Sequence, residues 1–206
     1  MRLLLVRHAE TTWNSGGRIQ GFTDAPLSGL GEQQAERLAA RLAREPIAAA
    51  YASTLQRTWR TAEIALAGRD IPVTRDAAWC EAAYGQWEGM TWPEIHARDG
   101  ELAARLLNDR ANVAPPGGES FMDLQHRLVA TIEQLRRRHD GADVLVVTHG
   151  GPIRVLGAWC MDHDPNQAWR FKADNAALST VRWSDQGPVL ELWNETAHLH
   201  GLRGSA

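Results

Sequence analysis

Reactive polar side chains directly follow two apolar segments of this 206-residue sequence. Residues 3–6 are Leu-Leu-Leu-Val and lead into Arg7 and His8, and residues 144–147 lead, one residue later, into His149. A short, uninterrupted apolar run is typical of a strand that is buried on both faces. In open α/β sheets, ligands bind beyond the carboxyl ends of such strands. The sequence therefore predicts a small-molecule site where these strands end.

A third segment adds a second arginine to the predicted site. Residues 47–52 are predicted to form another buried strand, and a helix is predicted over residues 54–67. Arg57 falls in the first turn of that helix, where the helix dipole favours anions over cations. An arginine at this position is best explained as one that binds an anion together with the helix N-terminus.

Two arginines and two imidazoles at one point suit the handling of a phosphoryl group. Guanidinium groups bind phosphate oxygens in a bidentate manner and neutralise charge in the transition state. A neutral imidazole can attack phosphorus directly and divide one displacement into two through a phosphohistidine. A carboxylic acid is still needed to protonate the leaving alkoxide.

The elements between these segments must bring the strand ends together. Helices are predicted over residues 28–44, 54–67, 119 or 120 to 139, and 152–161, with a short edge strand over 71–74 and a hairpin over 177–193. Right-handed crossovers in a doubly wound sheet place the strand ends on one edge. We therefore predict an α/β fold, a three-layer α/β/α sandwich with a mostly parallel central sheet.

The regular alternation of helix and strand lapses in one part of the chain. Residues 115–118 are Pro-Pro-Gly-Gly, and the preceding segment contains two weak helical patterns, over residues 92–99 and 101–109. Nothing in this segment predicts an independent core. We expect a single domain over residues 1–206, with an excursion at about 82–117 that covers the site.

Composition limits the classes of function. Hydrophobic residues make up 44% and charged residues 23% of the chain, as in a soluble globular protein. The net charge of -3 gives no reason to expect nucleic acid or a membrane as a partner. Cys80 and Cys160 supply no disulfide framework, and no apolar run is long enough to span a bilayer, so we expect a cytoplasmic protein. No metal and no other cofactor are predicted, and a homodimer is left open.

Four motifs carry a resemblance to a known family. In chain order they are LVRHAETxxN at 5–14, SxLxR at 53–57, ExxYGxWEG at 81–89 and THGG at 148–151. Together they resemble the signatures of the histidine phosphatase superfamily, whose members include phosphoglycerate mutases and many small phosphatases. The resemblance implies a phosphoglycerate mutase-like fold. Ala9 departs from the pattern, because the family usually has glycine there; we expect a negative φ, which accommodates its Cβ.

The resemblance also implies a role for each matching residue. His8 is the expected nucleophile that becomes phosphorylated, and Glu81 is the expected general acid that later activates water. His149, Arg7 and Arg57 complete the expected catalytic set. The residues expected to bind the substrate phosphate are Arg7, Asn14, Gln20, Gly21, Arg57, His149 and Gly150.

The sequence predicts a metal-independent phosphomonoesterase that acts on a small phosphorylated metabolite. The chain end resembles that of metal-independent phosphoserine phosphatases and α-ribazole phosphatases. A bisphosphoglycerate-dependent phosphoglycerate mutase is one alternative, although such mutases have a fuller insertion after the acid carboxylate. A non-catalytic module that binds a phosphorylated ligand is another, disfavoured because His8 and Glu81 are both present. The substrate, whether phosphoserine, α-ribazole phosphate or a phosphoglycerate derivative, stays open.

Overall fold

A mixed sheet of six strands forms the centre of the computed structural model, which describes residues 1–202. The elements in chain order are β1 (Arg2–Arg7), α1 (Thr12–Ser15), α2 (Gly29–Leu42), β2 (Ile47–Ala52), α3 (Gln56–Ala65), β3 (Val73–Arg75), α4 (Trp92–Asn108), α5 (Phe121–Arg138), β4 (Asp143–Thr148), α6 (Gly150–Cys160), β5 (Leu178–Ser184) and β6 (Gly187–Glu195). The strand order is β3-β2-β4-β1-β5-β6. The first four of these strands are parallel, and β5 and β6 are antiparallel to their neighbours.

Strand β1 shows why this sequence forms three layers. Successive side chains of a strand point to opposite faces of the sheet. Leu3 and Leu5 pack into one core, which includes side chains of α5 and α6, whereas Leu4 and Val6 pack into a second core with side chains of α2 and α3. All four leucine and valine side chains are fully buried. The predicted α/β/α sandwich with a mostly parallel sheet is confirmed.

The three strands that were predicted to end in reactive residues are neighbours in the sheet. Strand β4 lies between β2 and β1, and all three run in the same direction. Arg7 at the end of β1 pairs in register with Thr148 at the end of β4. Ala52 of β2 pairs with Val147 of β4. His8, Ser53 and His149 therefore leave the sheet at one edge.

The helices that cover the sheet begin where polar side chains cap them. The Ser28 hydroxyl accepts a hydrogen bond from the Gly31 N–H at the start of α2. Ser120 and Asp123 form a reciprocal capping box at the start of α5. Caps of this kind satisfy N–H groups that the helix itself leaves unbonded. Both helices were predicted at these positions, and each ends one or two residues earlier than expected.

Two strand boundaries differ from the prediction. The edge strand was expected over 71–74, but β3 pairs with β2 only from Val73 onward. Pro72 has no N–H to donate to a ladder, so pairing begins after it. The hairpin was expected to have a four-residue turn over 184–187, but Ser184 and Gly187 pair with each other and leave two residues between the strands.

Two helix boundaries differ as well. Helix α6 was expected from Pro152 but begins at Gly150, directly after His149. Helix α3 was expected from residue 54 and begins at Gln56, with Arg57 in its first turn as predicted. The short helix α1 was not predicted.

The excursion at 82–117 contains α4, which is kinked at Asp99, where φ is -130° and ψ is 39°. The Asp99 carboxylate accepts a hydrogen bond of 2.7 Å from the Trp87 indole N–H. The kink explains the two separate helical patterns in the sequence. Trp87, Ile95 and Leu106 are buried together in a small cluster of their own. Within residues 1–202, no helix combines the length and apolarity that crossing a membrane would require.

Candidate active site

His8 leaves β1 as a buried, neutral imidazole. Its side chain is 3% exposed, and Nδ1 lies 2.8 Å from the carbonyl oxygen of Ala9. A carbonyl can only accept, so Nδ1 carries the proton and donates it, and Nε2 keeps its lone pair. Burial and the charges of Arg7 and Arg57 hold the pKa of His8 well below its ordinary value. The ring is therefore in the form that a nucleophile requires.

The backbone next to this histidine is fixed on both sides. The Ala9 N–H donates to the Thr61 hydroxyl at 3.0 Å, and the His8 carbonyl accepts from the Asn175 side-chain amide at 3.0 Å. Ala9 is fully buried and has no positive φ, as expected for an alanine that replaces glycine. Asn14 is tied into the same network, because its Oδ1 accepts from Asn175 and from the Thr11 N–H. Within residues 1–202 its amide N–H groups make no hydrogen bond, and their contact with phosphate stays a prediction.

His149 lies beside His8, with ring centroids 5.2 Å apart. The Arg57 Nε–H donates to Nδ1 of His149 at 3.2 Å, so the ring proton is on Nε2 and is donated to the Ser53 hydroxyl at 2.8 Å. Burial and the charge of Arg57 hold the pKa of His149 well below its ordinary value. Both ring nitrogens are thus bonded to protein groups, and in this arrangement His149 orients Arg57. A direct contact of His149 with phosphate stays a prediction.

The two arginines differ in burial, because Arg57 is buried and pairs with Asp24 at 3.2 Å, whereas Arg7 is half-buried. Arg57 is 1% exposed, and its guanidinium donates to the carbonyls of Gly21, at 2.6 Å, and Thr23, at 3.0 Å. Arg7 donates to the Ala173 carbonyl at 2.8 Å, while its Nε–H is buried without a partner among the described residues. Burial lowers the pKa of Arg7 to about 10, which leaves it charged at neutral pH. Buried cations with unused N–H groups are suited to bind an anion.

A carboxylate that the sequence did not single out holds the loop behind Arg57. Glu88 accepts hydrogen bonds from the N–H groups of Phe22 at 3.0 Å, Thr23 at 2.8 Å and Tyr84 at 3.2 Å. Burial alone would raise the pKa of Glu88, but these hydrogen bonds bring it below its ordinary value. Gly21 has a φ of +54°, and a Cβ there would overlap the Glu88 carboxylate. Only glycine fits at this position.

Glu81 is half-buried and faces the N-terminus of α6. Its carboxylate accepts from the Gly151 N–H at 3.0 Å, and a Cβ on Gly151 would overlap the carboxylate. The segment that carries Glu81 is held from behind by Arg127 of α5, which donates to the carbonyls of Ala78 at 2.7 Å and Cys80 at 3.1 Å. Arg127 could not be found by sequence reasoning, because α5 and this segment are far apart in the chain.

These elements enclose a cavity of about 260 Å³. Of the predicted site residues, those that line it are Arg7, His8, Asn14, Gln20, Gly21, Arg57 and Glu81. The side-chain Oε1 of Gln20 is buried and has no partner within the described chain. His149 lies behind Arg57, and a Cβ on Gly150 would lie 3.6 Å from Arg7 Nε. The structure therefore brings the whole predicted set to one place. It adds Tyr84, Trp92 and Arg154 to the cavity wall.

Comparison with known proteins identifies the family. The sequence profile of the histidine phosphatase superfamily (branch 1) matches residues 3–196. The chain belongs to this superfamily. Phosphoserine phosphatase 1 of Hydrogenobacter thermophilus is 34% identical over 199 residues, which are 97% of this chain and 94% of that protein. The metal-independent phosphoserine phosphatase of Arabidopsis thaliana is 33% identical over 97% of this chain and 84% of that protein.

A solved structure supports the same conclusion. Bacillus stearothermophilus YhfR superposes on this histidine phosphatase with a TM-score of 0.91 and 34% identity, over 97% of this chain and 99% of that one. The resemblance that the four motifs carried is confirmed, and so is the enzyme class. Within residues 1–202, no group of three or more His, Cys, Asp or Glu side chains is arranged to hold a metal ion.

Proposed function

We propose that this histidine phosphatase hydrolyses a small phosphomonoester through a phosphohistidine on Nε2 of His8. One observation carries the proposal. The neutral His8 ring, with its Nδ1 proton bound to the Ala9 carbonyl, lines the same cavity as Arg7, Arg57 and Glu81. A nucleophile, a cationic cradle and a proton donor are thus present together, which is the set that phosphoryl transfer through an enzyme intermediate requires.

In the first step the two arginines hold the substrate phosphate. Arg7 offers its unpartnered Nε–H, and Arg57 keeps an Nη2–H that the Gly21 carbonyl does not use. Nε2 of His8 attacks phosphorus, the bond from phosphorus to the leaving oxygen breaks, and Glu81 gives its proton to that oxygen. The positive charge that develops on the His8 ring is stabilised through Nδ1–H by the Ala9 carbonyl.

In the second step water replaces the alcohol. Glu81, now a carboxylate, takes a proton from a water molecule that attacks the phosphohistidine. The bond between phosphorus and Nε2 breaks, inorganic phosphate is released, and the neutral His8 ring is restored. The cradle of Arg7 and Arg57 supplies the charge neutralisation for which other phosphatases use a metal, so we propose that the reaction is metal-independent. The relative from Arabidopsis thaliana that is named a metal-independent phosphoserine phosphatase supports this.

The dimensions of the cavity favour a small leaving group. Its volume of about 260 Å³ lies below the usual range of about 300–1,000 Å³ for ligand pockets. A phosphate with a leaving group of a few carbon atoms fits better than a bulky nucleoside-like ester. We also propose that residues 82–117 belong to one domain with the rest and act as its cover, since Tyr84 and Trp92 both line the cavity.

Trapping the intermediate tests this proposal. With a ³²P-labelled phosphomonoester and EDTA present, rapid quenching should yield a labelled enzyme that is stable in alkali and labile in acid. The His8→Asn variant should give no labelled enzyme and lose about 10³-fold or more in kcat. His126→Asn is the matched control, because His126 is exposed on α5.

Three results would contradict the proposal. One is a strict requirement for Mg²⁺, and another is a His8→Asn enzyme that keeps its turnover and its label. The third is interconversion of 2- and 3-phosphoglycerate faster than hydrolysis of either, which would favour the mutase alternative.

A further inference from the structure

Four arginines line the cavity, namely Arg7, Arg18, Arg57 and Arg154. Arg154 of α6 is half-buried, and within residues 1–202 it makes no hydrogen bond and no ion pair. Arg18, at the same cavity, donates to the Gly89 carbonyl at 2.6 Å and pairs with Glu94. Arg7 and Arg57 are held by carbonyls behind the site. Within the described chain, Arg154 is therefore the cavity arginine whose N–H groups are all available to bind a ligand.

The position of Arg154 on α6 places it on the side of the leaving group. It follows Gly151 by three residues, and residues three apart share a helix face. The Gly151 N–H binds Glu81, the group expected to protonate the leaving oxygen. Burial raises the pKa of Tyr84 to about 12, and the positive charge of Arg154 opposes that rise, as expected for close neighbours. The charge of Arg154 also contributes to lowering the pKa of Arg7, so Arg154 lies where the Glu81 and Tyr84 side of the cavity meets the arginines.

The balance of charge in the cavity leaves Arg154 without an anion. Arg57 pairs with Asp24 at 3.2 Å, but Asp24 does not line the cavity, so we match the dianionic phosphate ester with the two cavity cations Arg7 and Arg57. Glu81 must be protonated when the ester binds, so it supplies no negative charge at that moment. An unpaired guanidinium in a partly desolvated cavity is costly, and a carboxylate matches its fork of donors in a bidentate manner.

We propose that Arg154 binds a carboxylate on the leaving group, so that the substrate is a small phosphomonoester of a hydroxy acid or a hydroxy amino acid. This inference rests on the proposed hydrolysis of a phosphomonoester at His8. It makes Arg154 the residue that decides between leaving groups, whereas Arg7 and Arg57 hold the phosphate that every substrate shares.

Two pairs of substrates that differ by one carboxylate test the inference. They are L-phosphoserine against O-phosphoethanolamine, and 3-phosphoglycerate against glycerol 3-phosphate. The wild-type enzyme should have a higher kcat/KM for the acid of each pair. Arg154→Met should lower kcat/KM for the acids by about 10- to 100-fold, the range of a charge-assisted hydrogen bond, and leave the other two within about twofold.

Control variants separate this effect from loss of charge or of folding. Arg98→Met removes an arginine whose guanidinium binds Gln86 outside the cavity, and it should leave the ratio within each pair unchanged. Arg154→Glu should reverse the preference toward O-phosphoethanolamine, whose ammonium it would attract. The unfolding midpoint of each variant reports folding independently of the substrate ratio.

Every outcome decides for or against the inference. A selective loss for the acids supports it. An equal loss for both members of a pair would show that Arg154 binds the phosphate, and no loss would show that it binds no substrate; either overturns the inference. Failure of the proposed function is visible separately, as turnover retained by His8→Asn, because the ratio within each pair does not depend on which residue is the nucleophile.

Discussion

The two halves of the cavity are built in different ways. The proposed phosphate half consists of Arg7, His8 and Arg57, with His149 behind Arg57, and the proposed leaving-group half consists of Glu81, Tyr84, Trp92 and Arg154. In the first, His8 is 3%, Arg57 1% and His149 0% exposed, and only Arg7 is partly buried. In the second, all four side chains are only partly buried. The phosphate half comes from parallel strand ends and the first turn of α3, whereas the leaving-group half comes from the segment of residues 81–92 and one face of α6.

This difference suggests how the enzyme divides its tasks. Strand ends in a packed sheet hold side chains rigidly, which suits a phosphoryl group that is the same in every phosphomonoester. A cover of loops and one kinked helix can differ in shape and charge without disturbing the sheet. Reaction chemistry should therefore depend on the first half, and substrate preference on the second.

The largest effect should come from breaking the phosphate half at Arg57. Arg57→Lys keeps the positive charge, but a lysine ammonium cannot donate to His149, Gly21 and Thr23 together as the planar guanidinium does. We expect kcat/KM to fall by about 10²- to 10³-fold, equally for substrates with and without a carboxylate. Steady-state kinetics on the substrate pairs described above check this. A loss confined to the acids would erase the distinction between the halves.

A smaller effect should follow from displacing Glu81 without changing it. Gly151→Ala places a Cβ where the Glu81 carboxylate lies, whereas Gly29→Ala, also in the first turn of a helix, meets nothing within 4 Å. We expect Gly151→Ala to lower kcat by about 10²-fold for alkyl phosphates, the lower end of general acid catalysis. Hydrolysis of p-nitrophenyl phosphate should suffer less, because nitrophenolate leaves without a proton.

That leaving-group dependence is the informative measurement for Gly151→Ala. The control Gly29→Ala should match the wild-type enzyme on both kinds of ester. If Gly151→Ala slowed p-nitrophenyl phosphate as much as alkyl phosphates, Glu81 would not be acting as the acid.

The smallest expected effect concerns stability against pH. An unfolded histidine takes up a proton near pH 6.5, whereas His8 and His149 stay neutral in the folded state because their pKa values are well below that. The unfolded state then binds more protons, so the free energy of unfolding falls as the pH drops below about 6.5. Each histidine should account for about 2 kcal/mol of that fall between pH 7 and pH 5.

Denaturant unfolding of the wild-type and His8→Asn proteins at pH 7 and pH 5 measures this contribution. The variant should lose about 2 kcal/mol less than the wild-type protein between the two pH values. The same loss in both proteins would mean that His8 already takes up its proton in the folded state. The folded enzyme would then have no neutral imidazole at His8 to attack phosphorus.

Local patterns in the sequence were enough to predict much of the fold and of the site. The apolar runs at 3–6 and 144–147 identify strands because side chains alternate between two buried faces, and Ser28 and Ser120 mark helix starts because capping is local. The motif residues His8, Arg57, Glu81 and His149 could be named from spacing and resemblance. The predicted boundaries of helices and strands were less accurate. The start of β3 after Pro72, for example, is set by pairing with β2, which is distant in the chain.

The sequence by itself determined the layers, the meeting of the reactive strand ends at one edge of the sheet and the types of side chain found there. Only the tertiary structure decided how those side chains are held. Glu88 binds a loop more than 60 residues before it, Arg127 supports the segment of Glu81, and Arg154 has no partner within residues 1–202. Such roles depend on distances between segments remote in the chain, which periodicity and propensity do not encode. The tertiary hydrogen bonds therefore show which ring nitrogen of each histidine carries the proton, which residues support the site and which charged side chain is unpaired.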